Sequence, residues 1–140
     1  MVLSGNHITG SGQVGIQVRG SPRITGNTLS KATGYVYGAI SIFGDNSGPV
    51  MRNNIFQCNL AILVRDFSGN PTPDIGTDGD PGNNDFSALT GVSIQVQAGV
   101  SSTIYAIGNI FPHDPPEEAT DIDNLGTGSV VWGTGPGDSF

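Results

Sequence analysis

Four aspartates, Asp74, Asp78, Asp80 and Asp85, fall within twelve residues of a turn-rich stretch. Together with Asn83, Asn84 and loop carbonyls they offer the oxygens that Ca²⁺ requires, about 6 to 8 in a full shell. Their spacing follows neither the EF-hand loop nor the nonapeptide calcium roll, so the expectation is a weak Ca²⁺ site. A second group is basic and aromatic. Arg19, Phe43 and Arg65 each end a short alternating apolar segment, with Gln17 and Gln95 at a neighbouring position of such segments. Guanidinium groups pair with carboxylates and an aromatic ring covers a sugar face, so this set suits an extended acidic polysaccharide.

Catalytic groupings are thinner. Hydrolysis of a glycoside needs two carboxyl groups facing one groove about 5 to 9.5 Å apart. Asp121 and Asp123 share one side of a strand at i, i+2 but sit in the least regular segment. Near the two arginines the only acid is Asp66. Phe111-Pro112-His113-Asp114 runs into Pro115-Pro116 and reads as a loop. His7 has no nameable partner. Cys58, the single cysteine, excludes an internal disulfide and reads as a small buried hydrophobe.

What must position these residues is a repeat. Gly5-Asn6-His7-Ile8, Gly26-Asn27-Thr28-Leu29, Asn53-Asn54-Ile55-Phe56, Asn83-Asn84-Asp85-Phe86 and Gly108-Asn109-Ile110-Phe111 share an Asn followed two residues later by a large apolar side chain. After each comes a turn-rich gap and then an alternating segment, centred on Ile16, Ile40, Ile62, Ile94 and, more weakly, Ile122. Period-two alternation marks a strand with one buried face. Aligned, the copies place those five isoleucines in one inward column and Val18, Ile42, Val64, Val96 and Asn124 in a second, so the core ends at the last rung. The outward columns read Gln17, Ser41, Leu63, Gln95, Asp123 and Arg19, Phe43, Arg65, Gln97, Leu125, on a face expected to be flat. Arg19 and Arg65 then lie two rungs apart, about 9.6 Å. Short strands recurring with same-residue columns predict an all-β fold, a single parallel β-helix of about five coils over residues 1–132, with a flexible Gly-rich tail at 133–140. The recurring Asn is expected to form an internal ladder of side-chain amides.

Composition agrees. Only 12% of the 140 residues are charged, 22 are glycine, and the chain is rich in Ile and Val but poor in Ala, Glu and Lys, which excludes a mainly helical domain. No apolar run is long enough to span a bilayer as a helix. The net charge of −7 points away from nucleic acid, and it is unevenly spread. All five basic residues and one acid lie in positions 1–65, a balance of +4, while the other eleven acids lie beyond, a balance of −11. That split suggests a partner chain or head-to-tail self-association through the two ends.

On the Gly-Asn-x-apolar copies and the Gly-Ile-x-Val type strands, the chain resembles the right-handed parallel β-helix proteins of the pectin-lyase-like superfamily over residues 2 to 132. On Pro73-Asp74-Ile75-Gly76, Asp80-Pro81-Gly82-Asn83-Asn84-Asp85-Phe86 and the 103–109 segment it looks like bacterial surface β-helix proteins whose central domain has no assigned function. The resemblance implies an extracellular or cell-surface location and a structural or carbohydrate-binding role without catalysis. The rival it carries is a polysaccharide lyase or epimerase, or a fragment of one. Pro112, His113 and Asp114 match an alginate-epimerase signature in three of four positions, with Phe111 in place of its leading Asp. The repeat identifies the fold; the reaction, if any, must be argued from a site.

Overall fold

A computed structural model describes residues 1–10, 12–31 and 33–140. The first coil is β1 (Val2–Ser4), β2 (His7–Thr9) and β3 (Ile16–Val18), the second β4 (Arg23–Thr25), β5 (Thr28–Ser30) and β6 (Ile40–Ile42). The third is β7 (Val50–Arg52), β8 (Ile55–Gln57) and β9 (Leu60–Val64). Then come β10 (Asp74–Gly76) and β11 (Val92–Val96), β12 (Ile104–Ala106) and β13 (Ile122–Asn124), and finally β14 (Val130–Val131). These strands stack, coil upon coil, into three sheets ordered β1-β4-β7-β10-β12-β14, β2-β5-β8 and β3-β6-β9-β11-β13. Every strand-to-strand pairing in them is parallel. Single-residue bridges Ile55 to Asp85 and Asp85 to Ile110 carry the second sheet through coils four and five.

The inward columns have the expected register. Ile16, Ile40, Ile62, Ile94 and Ile122 are successive partners, as are Val18, Ile42, Val64, Val96 and Asn124. From the second sheet Ile8, Leu29 and Phe56 point inward in turn. The column continues as a ring stack, Phe56 on Phe86 at 5.1 Å and Phe86 on Phe111 at 5.4 Å between centroids. Each fully buried aliphatic or aromatic side chain stabilises by about 1.5–3 kcal/mol, so a short three-residue strand per face suffices when its neighbours repeat it.

The bend between the first and second sheets holds the asparagine ladder. The backbone N–H and side-chain Nδ2 of Asn6, Asn27, Asn54 and Asn84 donate to Oδ1 of Asn27, Asn54, Asn84 and Asn109 respectively, all at 2.9–3.1 Å. The residue before each ladder Asn is left-handed: Gly5, Gly26 and Gly108 have φ of 66°, 65° and 73°, Asn53 and Asn83 have 57° and 50°. Glycine takes that conformation freely and asparagine tolerates it best among the rest, which explains why the repeated pair is Gly-Asn or Asn-Asn.

Residues 133–140 differ from the expected loose tail. They turn back as a hairpin whose last residue exchanges two backbone hydrogen bonds with Val130, Val130 N–H to Phe140 O at 2.8 Å and Phe140 N–H to Val130 O at 3.1 Å. The Phe140 ring lies 5.8 Å from that of Trp132, and Asp138 Oδ2 accepts the Gly135 N–H at 2.9 Å to close the turn. The unpaired edge of β14 and the apolar surface behind it give the glycines something to fold against. Asn124, the polar end of its column, donates to Gly128 O and Phe140 O at 2.9 and 3.0 Å and so ties the hairpin to the last rung.

Candidate functional site

The outward column of the third sheet, Gln17, Ser41, Leu63, Gln95 and Asp123, is in register as read from the sequence. The face is not flat. Ser41 and Leu63 are buried, and Gly38, at φ +81°, comes so close over Leu63 that a Cβ there would lie 3.1 Å from the Leu63 Cβ. Gln17 stays exposed and Gln95 half-buried, the latter donating from Nε2 to Asp123 Oδ2 at 2.8 Å.

The adjoining column lies just past the strand ends. Phe43, Arg65, Gln97 and Leu125 each donate a backbone N–H to the preceding rung, at Val18, Ile42, Val64 and Val96, over 2.8–3.1 Å. This stacks Arg19, Phe43 and Arg65 as expected and brings two further rings to them. The Arg65 guanidinium carbon sits 5.3 Å from the Tyr37 ring centre and 5.9 Å from that of Phe67, and Phe67 meets Phe43 edge-on at 5.9 Å. Tyr37 is 41% and Phe67 60% exposed. Each cation–π contact at such a site is worth about 0.5–1 kcal/mol, so the two together offset much of the roughly 2 kcal/mol of rotamer freedom that an ordered arginine gives up. The Arg19 stem runs along Gly44 with its end exposed. Tyr37 and Phe67 carry no signal in the repeat, since both lie in gaps whose path the strand register does not set.

Of the four aspartates, Asp74 and Asp80 meet at one arginine and the other two lie apart from it. Arg52, almost fully buried at the end of β7, turns the two N–H groups of one terminal nitrogen to the carboxylates of Asp74 and Asp80, with both Asp74 oxygens and Asp80 Oδ2 at 2.9 Å. Its other terminal nitrogen donates to the carbonyls of Met51 and Asp74. Burial opposes its charge, but hydrogen bonds to Asp80 and Asp74 outweigh this and hold its pKa above the usual arginine value. The same hydrogen bond holds the Asp80 carboxyl below the ordinary range. Asp85 Oδ1 accepts from the N–H and Oγ of Ser87 at 2.9 and 2.6 Å, and Asp78 faces solvent. Among the described residues no three His, Cys, Asp or Glu side chains converge on one metal position. Cys58 is buried and free, its thiol pushed up to about 11 by desolvation, as suits a packing residue.

A third grouping forms at the last coil. Asp121, 1% exposed, receives the Nδ1 edge of His113 at 3.0–3.1 Å and the Glu117 N–H at 2.9 Å. The hydrogen bond to Asp121, more than any other cause, raises the His113 pKa above its ordinary value. Nε2 remains at the surface, 4.0 Å from Glu117 Oε2. Asp121 and Asp123 therefore serve different partners, His113 and Gln95. His113 divides two hollows, one of about 170 Å³ against Leu89 and Thr120 and one of about 350 Å³ against Phe111, Asp114 and Trp132.

Three all-parallel sheets wound around an apolar core, with an asparagine ladder at one bend, define this molecule as a parallel β-helix repeat protein, with an arginine held between aromatic rings on its outer edge. Residues 1–118 match the family described as Protein of unknown function (DUF1565), and the chain belongs to that family. Searches of curated proteins and of solved structures each found no match.

Proposed function

We propose that this β-helix is a non-catalytic, extracellular or cell-surface module that binds acidic polysaccharide along the Arg19, Phe43, Arg65 column, with Tyr37 and Phe67 as added walls. The observation that carries this reading is the Arg65 guanidinium within cation–π reach of two exposed rings. A fixed fork lowers the entropy cost of gripping a carboxylate, and the rings offer flat apolar surface to a sugar. Arg19, two rungs away in the same column, offers a second guanidinium to an extended polymer. Against the rival, a polysaccharide lyase or epimerase, Asp121 and Asp123, the carboxylates nearest to a pair, are already engaged by His113 and Gln95.

The test is binding to polygalacturonate and to an uncharged glucan of similar length. Affinity for the polyuronate should exceed that for the neutral polymer, fall as salt is raised and drop in Arg65→Ala and Phe67→Ala variants. Equal affinity for both polymers, or unaltered binding by Arg65→Ala, would remove the proposal.

A further inference from the structure

The second sheet stops one rung early. In coils one to four the ladder Asn carbonyl accepts an N–H from the next coil, Asn6 from Thr28, Asn27 from Ile55, Asn54 from Asp85 and Asn84 from Ile110. The ladder N–H passes forward to the next Asn Oδ1, and the N–H two residues on reaches the next carbonyl, as Phe56 to Asp85 and Phe86 to Ile110. In coil five the chain enters the hairpin at Trp132 and Gly133 instead of supplying another Asn and strand. Among the described residues, Asn109 N–H, Asn109 C=O and Phe111 N–H are left without a hydrogen-bond partner. The ring stack ends here too. Asn54, Asn84, Phe56 and Phe86 are fully buried, whereas Asn109 and Phe111 are half-buried and line the 350 Å³ hollow that occupies the position of the absent rung.

We propose that this hollow binds one extended peptide segment as the sixth rung of the second sheet, running parallel to 109–111. The three free groups fix its chemistry. Asn109 N–H calls for a side-chain oxygen at the first peptide position, Asn109 C=O accepts the N–H of the second residue, and Phe111 N–H donates to that residue's carbonyl. At the third position an apolar or aromatic side chain continues the Phe56, Phe86, Phe111 column, with Trp132 on the far side. Charge sets the flanks. Asp114 lies in the wall, where His113 is matched by buried Asp121, and Glu117 and Glu118 are exposed on the same loop, so the segment is cationic where it passes this loop. A complete second copy does not fit, because β14 and the 138–140 arm already hold the adjoining places in the first sheet, where that copy's first strand would have to lie.

Trp132, the only tryptophan of the chain, reports on the site. The probe is the capped heptapeptide Met-Arg-Asn-Asn-Ile-Phe-Gln, the sequence of residues 51–57, which holds a native rung and one cation. Titration should change Trp132 emission saturably and more weakly at high salt. Methylating the peptide nitrogen of its Ile, which removes the donor to Asn109 C=O, should cost about tenfold in affinity or more. Replacing its Phe by Ala should do the same. Because the changes are in the peptide, the protein's folding is untouched. No response at millimolar peptide, or an N-methylated peptide that binds within twofold of its parent, would overturn the proposal. So would a galacturonate oligomer that gives the same response and competes with the peptide, or concentration-dependent dimerisation of the wild type that buries Trp132.

Discussion

Replacing Asn54 by Ala tests whether the ladder stabilises the stack or merely decorates it. In the fully buried interior, Asn54 Oδ1 is the acceptor of both the Asn27 N–H and the Asn27 Nδ2, and Asn54 Nδ2 donates to Ile24 O and Asn84 Oδ1. Alanine leaves the buried Asn27 N–H with no protein acceptor, at a cost of about 1–3 kcal/mol. The remaining three bonds are lost from groups that keep other partners in part, at about 0.5–1 kcal/mol each. The expected total is about 2.5–6 kcal/mol. With a urea slope of about 2 kcal/mol per molar for a chain of this size, the unfolding midpoint should fall by about 2 M. Asn6→Ala supplies the internal control: its own Oδ1 is exposed and unbonded, so the same substitution there should cost about 1 kcal/mol or less. Equilibrium urea unfolding followed by circular dichroism measures both. If Asn54→Ala and Asn6→Ala shifted the midpoint equally, the reasoning that buried amides cannot be left unpaired would fail for this fold.

Protonated His113 is bound to buried Asp121, so it adds stability that is fully present below its unfolded pKa of about 6.5 and fades as pH rises through its raised folded value. Melting temperature should therefore decline across the neutral range in wild type and less steeply in His113→Gln; parallel curves would refute the pairing. Arg52→Met should destabilise the fold by leaving Asp74 and Asp80 side by side without their cation. If the 74–85 loop takes Ca²⁺ at all, calorimetry at millimolar Ca²⁺ should show a larger heat in that variant than in wild type, and the reverse order would show that Arg52 does not compete for those carboxylates. Deleting residues 133–140 exposes the β14 edge and should convert the protein to concentration-dependent oligomers in sedimentation, whereas a monomeric truncation would show that the hairpin is dispensable as a cover.

The fold was readable because coil stacking imposes identical demands at each rung. An inward residue in one coil meets its counterpart in the next, so Ile16 to Ile122 and Asn6 to Asn109 repeat visibly even though the gaps between them vary. The candidate site was readable only along the strands. Arg19, Phe43 and Arg65 share a column because β3, β6 and β9 fix their register, whereas Tyr37 and Phe67 reach Arg65 through loops that obey no repeat. Arg52 illustrates the same limit from the other side. It is an outward residue at a strand end, and its partners lie 22 and 28 positions ahead, one on the next coil's strand and one in the turn beyond. Nothing in the spacing of the aspartates distinguishes four ligands around a cation from two clasped by an arginine. The hairpin at 133–140 was not legible because composition reports the freedom of glycine but not the meeting of two aromatic rings, Trp132 and Phe140.

The ladder also gives the molecule an electrical direction. In the sheets, successive backbone bonds point alternately up and down the stack, Ile55 N–H toward Asn27 and Phe56 N–H toward Asp85, so their dipoles largely cancel. The amide chain from Asn6 to Asn109 does not alternate: every one of its links donates toward the later coil. Its dipoles add and polarise one another, leaving an electron-rich oxygen at the Asn6 end and an electron-poor N–H at the Asn109 end. The five basic residues lie in positions 1–65 and eleven of the twelve acids lie beyond them, the arrangement that such a dipole favours. The uneven charge of the chain thus acts as a countercharge along its own axis, as acidic and basic residues do at the two ends of a helix.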